Sequence, residues 1–206
     1  MAESFDITTI AQLRAVIGEE IPGLSDKNVD YLDSYAQEFI AKAPFMVLAT
    51  ADAQGNLDAS PKGDAPGFVC VQDEKTLLVP DRPGNKLAYG HLNILQNSKV
   101  GLIFIIPATS ETLRVNGTAT LTAAPDVLDQ LAAREKPATL AMRVNVEEVF
   151  FHCGKAFIRS NLWRHEQWPE KHKVSFGKMI AEQKGADTKF ADAIDASIEQ
   201  DYKNNL

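Results

Sequence analysis

Apolar positions along this chain change period twice. Over residues 8–18, Ile10, Leu13 and Val16 recur at helical spacing and Gly18 stops them, which predicts a short helix. Pro22-Gly23 breaks the chain. Ser25 can then cap a second helix in which Val29, Leu32, Ala36, Phe39 and Ile40 share a face, up to Pro44. From Phe45 the pattern turns to strand-length runs. Residues 45–51 are continuously apolar, Asp52-Ala53-Gln54-Gly55-Asn56 is a turn, and Leu57-Asp58-Ala59-Ser60 resumes the strand, giving an antiparallel hairpin that ends at Ser60-Pro61-Lys62-Gly63-Asp64. Phe68-Val69-Cys70-Val71 and residues 76–79 flank the polar turn Gln72-Asp73-Glu74-Lys75. Residues 100–106 form another buried run bounded by Pro107, and residues 112–121 alternate apolar and polar, the period of a half-buried strand with Arg114 on the polar side. A short helix over 125–134 starts at Pro125 and packs Val127, Leu128 and Leu131; the last long strand covers 140–152. In the tail, Phe176, Met179 and Ile180 mark one amphipathic turn, and Phe190, Ile194, Ile198 and Tyr202, spaced by four, form a docking stripe.

Six or seven antiparallel strands with one mid-sheet helix predict a mainly β architecture with helical additions (α+β), closed as a small barrel. Residues 1–43 read as a helical N-terminal extension too short for a core of its own, 44–163 as the barrel, and 164–206 as a helical C-terminal extension.

A formal charge of −7 and an isoelectric point near 5.1 argue against general nucleic-acid binding, while leaving room for a local basic pocket. Two cysteines, Cys70 and Cys153, make no disulfide framework, and Met1-Ala2-Glu3-Ser4-Phe5-Asp6 lacks the basic and apolar regions of a signal peptide. A cytoplasmic protein with reduced thiols is expected. No apolar run approaches the roughly 20 residues that cross a bilayer, so no membrane partner is expected. His152 and Cys153 are adjacent and His165 and His172 lie further on, without ligand spacing, so no metal site is expected either.

The chemistry concentrates at Val79-Pro80-Asp81-Arg82-Pro83-Gly84-Asn85-Lys86. This stretch ends a strand and opens a helix over 86–95, whose apolar residues fall at 87, 88, 92 and 95. Helix N-termini present unpaired N–H groups and a positive dipole end; Arg82 and Lys86 add formal charge beside one, and Gly84 lets backbone approach a ligand. The stretch therefore reads as an anion cradle suited to phosphate.

With Ser60-Pro61-Lys62-Gly63-Asp64, the 80–86 stretch, Asn93-Ile94-Leu95, Glu111-Thr112-Leu113-Arg114-Val115-Asn116-Gly117 and the string from His152 to Trp163 in this order, the chain resembles the pyridoxamine 5′-phosphate oxidase-like, FMN-binding split-barrel family over about residues 45–163. The resemblance implies a split barrel, FMN as cofactor, an oxidoreductase acting on a small molecule, and a homodimer with two FMN sites in its interface. It implies that Lys62, Asn85 and Lys86, with Arg82 adjacent, grip the phosphate, that the ring lies along Asp58, Ala59, Ser60 and Pro61 and near Val79 and Pro80, and that Asp81 is among the cofactor-binding residues. It places Thr112 and Arg114 against the cofactor. His152, Lys155 and Arg159 are assigned to a pocket completed by the second chain, with Lys155 and Arg159 four apart on one helix face. True pyridoxamine-phosphate oxidases carry a C-terminal Arg-Leu-His substrate motif; this chain reads Phe157-Ile158-Arg159-Ser160 there and continues into a long tail. A B6 phosphate is thus not the substrate the resemblance implies. Flavin storage or sensing without turnover, or a deazaflavin or haem in the same barrel, are the other readings.

Overall fold

A computed structural model describes residues 5–204. The N-terminal helix α1 (Ile10–Ile17) forms where expected, because Thr9 and Gln12 close a capping box and Gly18 ends it. The second helix differs from expectation. Residues 24–27 make a single 3₁₀ turn, Val29 bridges to Val149, and α2 (Ser34–Lys42) starts only at Asp33, whose carboxylate accepts from the Ala36 N–H. Both Ser25 and Asp33 can cap a helix, and the extended pairing of Val29 with Val149 decides between them. Leu32, Ala36 and Ile40 then pack into the barrel core.

The strands are β1 (Phe45–Ala51), β2 (Leu57–Gly63), β3 (Cys70–Asp73), β4 (Thr76–Asp81), β5 (Lys99–Ile105), β6 (Thr112–Thr122) and β7 (Leu140–His152). They form one antiparallel sheet in the order β2-β1-β5-β6-β7-β4-β3. No ladder joins β2 to β4 or β3, so the expected closed barrel is instead a curled sheet with a seam. There the Lys62 Nζ on β2 meets the Asp81 Oδ1 on β4 at 2.7 Å. This is the split barrel, a mixed α+β fold with seven strands.

Strand alternation sends Met46, Leu48, Leu102, Phe104, Leu113 and Val115 into the core. The opposite, outer face is also apolar over β1 and β5: Phe45, Val47 and Ala49 stand opposite Ile105, Ile103 and Gly101. Across β6 and β7 the same face turns polar, where Ile103 meets Arg114 and Arg114 meets Phe150.

Helix α3 (Tyr89–Gln96) lies on β1, β2 and β6, and α4 (Pro125–Gln130) beside β7. After α5 (Lys155–Ser160), helices α6 (Phe176–Lys184) and α7 (Thr188–Asn204) pack on each other. Ser175 and the Gly177 N–H both donate to the Asp195 carboxylate. Phe176, Met179, Phe190 and Tyr202 remain exposed, as do the apolar residues of α1. Residues 1–4, part of the expected leaderless N-terminus, lie outside the described residues.

Candidate functional site

The seam holds a groove of about 840 Å³. Along β2, side chains alternate, so Asp58, Ser60 and Lys62 face inward opposite the buried Thr50, Leu48 and Met46. The inner end of the groove is roofed by the start of α3. Gly90 keeps the approach close there: a Cβ at this position would lie 3.3 Å from Asp58 Oδ2 and 3.7 Å from Ser60 Oγ, so the Asp58 carboxylate would have to shift by a few tenths of an ångström. Asn93 donates to the buried Thr50 hydroxyl at 3.1 Å and fixes the helix on β1.

The turn after β4 forms the other wall. Helix α3 begins at Tyr89, three residues later than the apolar spacing predicts, because Lys86 and Ala88 take positive φ angles of 60° and 55°. Non-glycine residues adopt that conformation at a cost and mainly at special sites. Ala88 supplies no side-chain cap, so the first N–H groups of α3 have none from it. Asn85 Oδ1 accepts from the Leu87 N–H, and Lys86 enters no ion pair among the described residues.

Ten of the expected residues line this one groove: Asp58, Ala59, Ser60, Pro61, Lys62, Pro80, Asp81, Arg82, Asn85 and Lys86. Arg82 is engaged elsewhere than on the groove's interior. Its Nε donates to Asp64 Oδ2 at 2.7 Å and its Nη1 to the Leu131 carbonyl at 2.9 Å, which ties the end of β2 to α4. Burial works against the Asp64 charge, but the Ala65 N–H, Arg82 and the more distant Arg134 outweigh it and hold this carboxyl below its ordinary range. Val79 is buried in the core and does not line the groove.

The remaining expected residues form a separate group. Thr112 pairs with His152 and Arg114 with Phe150 across the β6–β7 ladder, with Arg114 5.6 Å from the Phe150 ring centre on one side and Lys27 5.9 Å away. Lys155 and Arg159 share the exposed face of α5. Gly154 lets α5 close onto the 106–111 loop, since a Cβ there would strike Ser110; Trp163 donates to the Thr109 carbonyl and stacks on Phe157. Salt bridges from Lys155 or Arg159 to the strand acids do not form: Glu147 pairs with Lys99, and Glu148 accepts from Asn28 and Asn116.

The groove contains one titratable residue that its sequence position does not reveal. His91, on the first turn of α3, has its Nε2 3.6 Å from Asp81 Oδ1, the oxygen that also holds Lys62. Burial pushes the imidazole below its ordinary value; Asp81 opposes that shift and Lys62 adds to it. Tyr89, Gly90, Phe68 and Thr139 also line the groove. Tyr89 and Gly90 follow the cradle closely in sequence, whereas no sequence signal ties Phe68 or Thr139 to it.

Among the described residues no three His, Cys, Asp or Glu side chains gather as a metal site, and no helix is long and apolar enough to cross a membrane. The family profile for pyridoxamine 5′-phosphate oxidase matches residues 32–153. No curated protein matches. Among solved structures, a Lactobacillus delbrueckii protein provisionally assigned as a pyridoxamine 5′-phosphate oxidase is 28% identical over 59% of this chain and 95% of its own, with a TM-score of 0.46. The haem storage protein HutZ of Vibrio cholerae is 18% identical over 59% and 94%, with a TM-score of 0.41. An FMN-binding protein of Syntrophomonas wolfei is 11% identical over 56% and 86%, with a TM-score of 0.40.

Proposed function

The chain belongs to the pyridoxamine 5′-phosphate oxidase family, and from that premise we propose that it is an FMN-binding flavoprotein, an oxidoreductase acting on a small molecule as a homodimer. The observation that carries this reading is the convergence of Lys62, Asn85, Lys86 and the β2 edge on a single groove. Its volume falls within the roughly 300–1,000 Å³ of ligand pockets. Its two regions differ as the two ends of a flavin nucleotide do. Lys86, with Lys62 and the amide of Asn85, offers charged and neutral donors suited to a phosphate. Leu48, Phe68, Pro61 and Pro80 offer apolar walls to a ring, and β2, as an edge strand, has main-chain groups with no strand partner on its outer side.

FMN, when bound, supplies hydride or single-electron transfer; the protein supplies position and electrostatics. Lys62 and Lys86 neutralise the phosphate, the β2 edge orients the ring by hydrogen bonds, and the apolar walls exclude water. Homodimer formation is supported by the outer face of β1 and β5, where Phe45, Val47, Ile103 and Ile105 form an apolar surface that one chain leaves uncovered. A partner across that face brings Thr112, Arg114, His152, Lys155 and Arg159 of one chain toward the groove of the other. An interface of this kind buries on the order of 2,000 Å² or more.

The test is the spectrum of the purified protein and its bound cofactor. Flavin absorption with one FMN released per chain, and bleaching by NADH or NADPH without oxygen, is the expected result. A Soret band would replace flavin with haem, and bound FMN that no reductant bleaches would leave a storage or sensing protein.

A further inference from the structure

The Asp81 carboxylate serves two cations from two different elements. Its Oδ1 lies 2.7 Å from the Lys62 Nζ of β2, within hydrogen-bonding distance, and 3.6 Å from the His91 Nε2 of α3, just beyond it. The three side chains are 22%, 25% and 15% exposed for Lys62, Asp81 and His91, and all three line the groove. One carboxylate oxygen therefore faces an ammonium and an imidazole at unequal distances, with the ammonium the nearer.

We propose that this cluster couples anion binding in the groove to proton uptake by His91: a phosphate group takes Lys62 from Asp81, and the released carboxylate holds His91 as the imidazolium. The proposal rests on the reading of the groove as a site for a phosphate-bearing ligand. The proton comes from solvent, and no covalent bond changes. Lys62 lowers the proton affinity of His91 and Asp81 raises it, while burial lowers it. An anion that neutralises Lys62 removes the first influence and strengthens the second, so both changes favour the proton. The other charged groups around the groove do not substitute for this pair. Asp58 faces Gly90 from β2, Arg82 is tied to Asp64, and Lys86 lies on the turn. Strand β1, against which α3 packs, presents no ionisable side chain. Tyr89, the groove's remaining titratable residue on α3, is largely exposed.

By linkage, affinity for the anion strengthens as pH falls through the interval between the proton affinities of free and occupied His91, by up to about tenfold per pH unit. A phosphate monoester itself titrates near pH 6. The informative quantity is therefore the difference between the wild-type protein and His91→Gln.

Inorganic phosphate, FMN and riboflavin are titrated into the full-length protein by calorimetry in two buffers of different ionisation heat. The His91 resonance, identified by its loss in His91→Gln or by elimination of those of His152, His165 and His172 in variants of each, is followed by NMR against pH. FMN and phosphate should raise the His91 midpoint by about a unit, tenfold in coupling, with proton uptake that His91→Gln lacks; riboflavin should do neither. Lys62→Gln should raise the midpoint without any ligand, and Asp81→Asn should lower it and abolish the ligand-linked rise. These two variants keep His91 and so report the coupling even if His91→Gln fails to fold. Binding of FMN with an unmoved His91 midpoint, equal uptake in His91→Gln, equal uptake with riboflavin, or no binding of either anion would overturn the coupling. A midpoint raised by phosphate in a protein that does not bind FMN would overturn the flavin reading and leave the coupling standing.

Discussion

In the groove, Lys62 and Arg82 each rest against a carboxylate, Asp81 and Asp64, and the Arg82 fork is further anchored on the Leu131 carbonyl. On the outer face, Arg114 and Lys27 flank the Phe150 ring, and Lys155 and Arg159 form no ion pair among the described residues. Similar cations are thus prepared for different partners. A lysine already paired with a carboxylate yields only to an anion that competes for it. A guanidinium supported by an aromatic ring keeps its full charge for whatever approaches, which makes the face attractive without being discriminating.

The largest expected effect tests whether the outer face is covered at all. Ile103→Asp or Val47→Asp would bury an unpaired charge in the dimer, at roughly 3–5 kcal/mol; light scattering at micromolar concentration should then show monomers. An unchanged dimer would place the interface elsewhere and leave the face's cations in solvent. Next is Lys86→Ala, which removes a charged hydrogen bond of about 1.5–3 kcal/mol. Titration should show FMN weakened about tenfold or more while riboflavin is unaffected, and equal loss of both would separate Lys86 from the phosphate. A third experiment joins the two regions. Chains carrying Lys62→Ala/Lys86→Ala mixed with chains carrying Lys155→Ala/Arg159→Ala should regain one intact site per heterodimer, since one groove collects every defect and the other none. Heterodimers that bind no better than either parent would confine Lys155 and Arg159 to the surface.

The smallest expected effect concerns pH. Asp64 has a depressed folded-state pKa, so its contribution is fully present above the unfolded value of about 3.9 and is lost as pH falls toward and through the lower folded value. Asp64→Asn should remove that part of the acid dependence, on the order of 1 kcal/mol, in denaturant melts at several pH values. His91 acts in a different interval and in the same direction. The unfolded chain takes its proton near pH 6.5 while the folded chain resists, so stability declines between that value and the lower folded one.

The strands were legible because each apolar run is bounded by turn chemistry, and residues 52–56 separate β1 from β2 as that chemistry requires. The seam was not legible from periodicity. What leaves the sheet open is the absence of a ladder between β2 and β4, and what spans it is a contact between Lys62 and Asp81, nineteen residues apart. The start of α2 escaped because Ser25 and Asp33 are equally good local caps and a tertiary bridge at Val29 chooses between them. The delayed start of α3 depends on positive φ at Lys86 and Ala88, neither of which is glycine, so composition carries no sign of it. His91 was hidden for a related reason: a lone histidine on a short helix becomes chemically notable only once Asp81 is folded beside it.

Pro61 sits in β2, an edge strand whose outer side no other strand covers. Without an N–H, it interrupts the row of donors that a stray strand from another molecule would need. The residue that lines the groove therefore also leaves a gap in the edge's row of donors. Replacing it with valine would return an N–H to this edge and should raise the tendency to aggregate, which light scattering during refolding would measure.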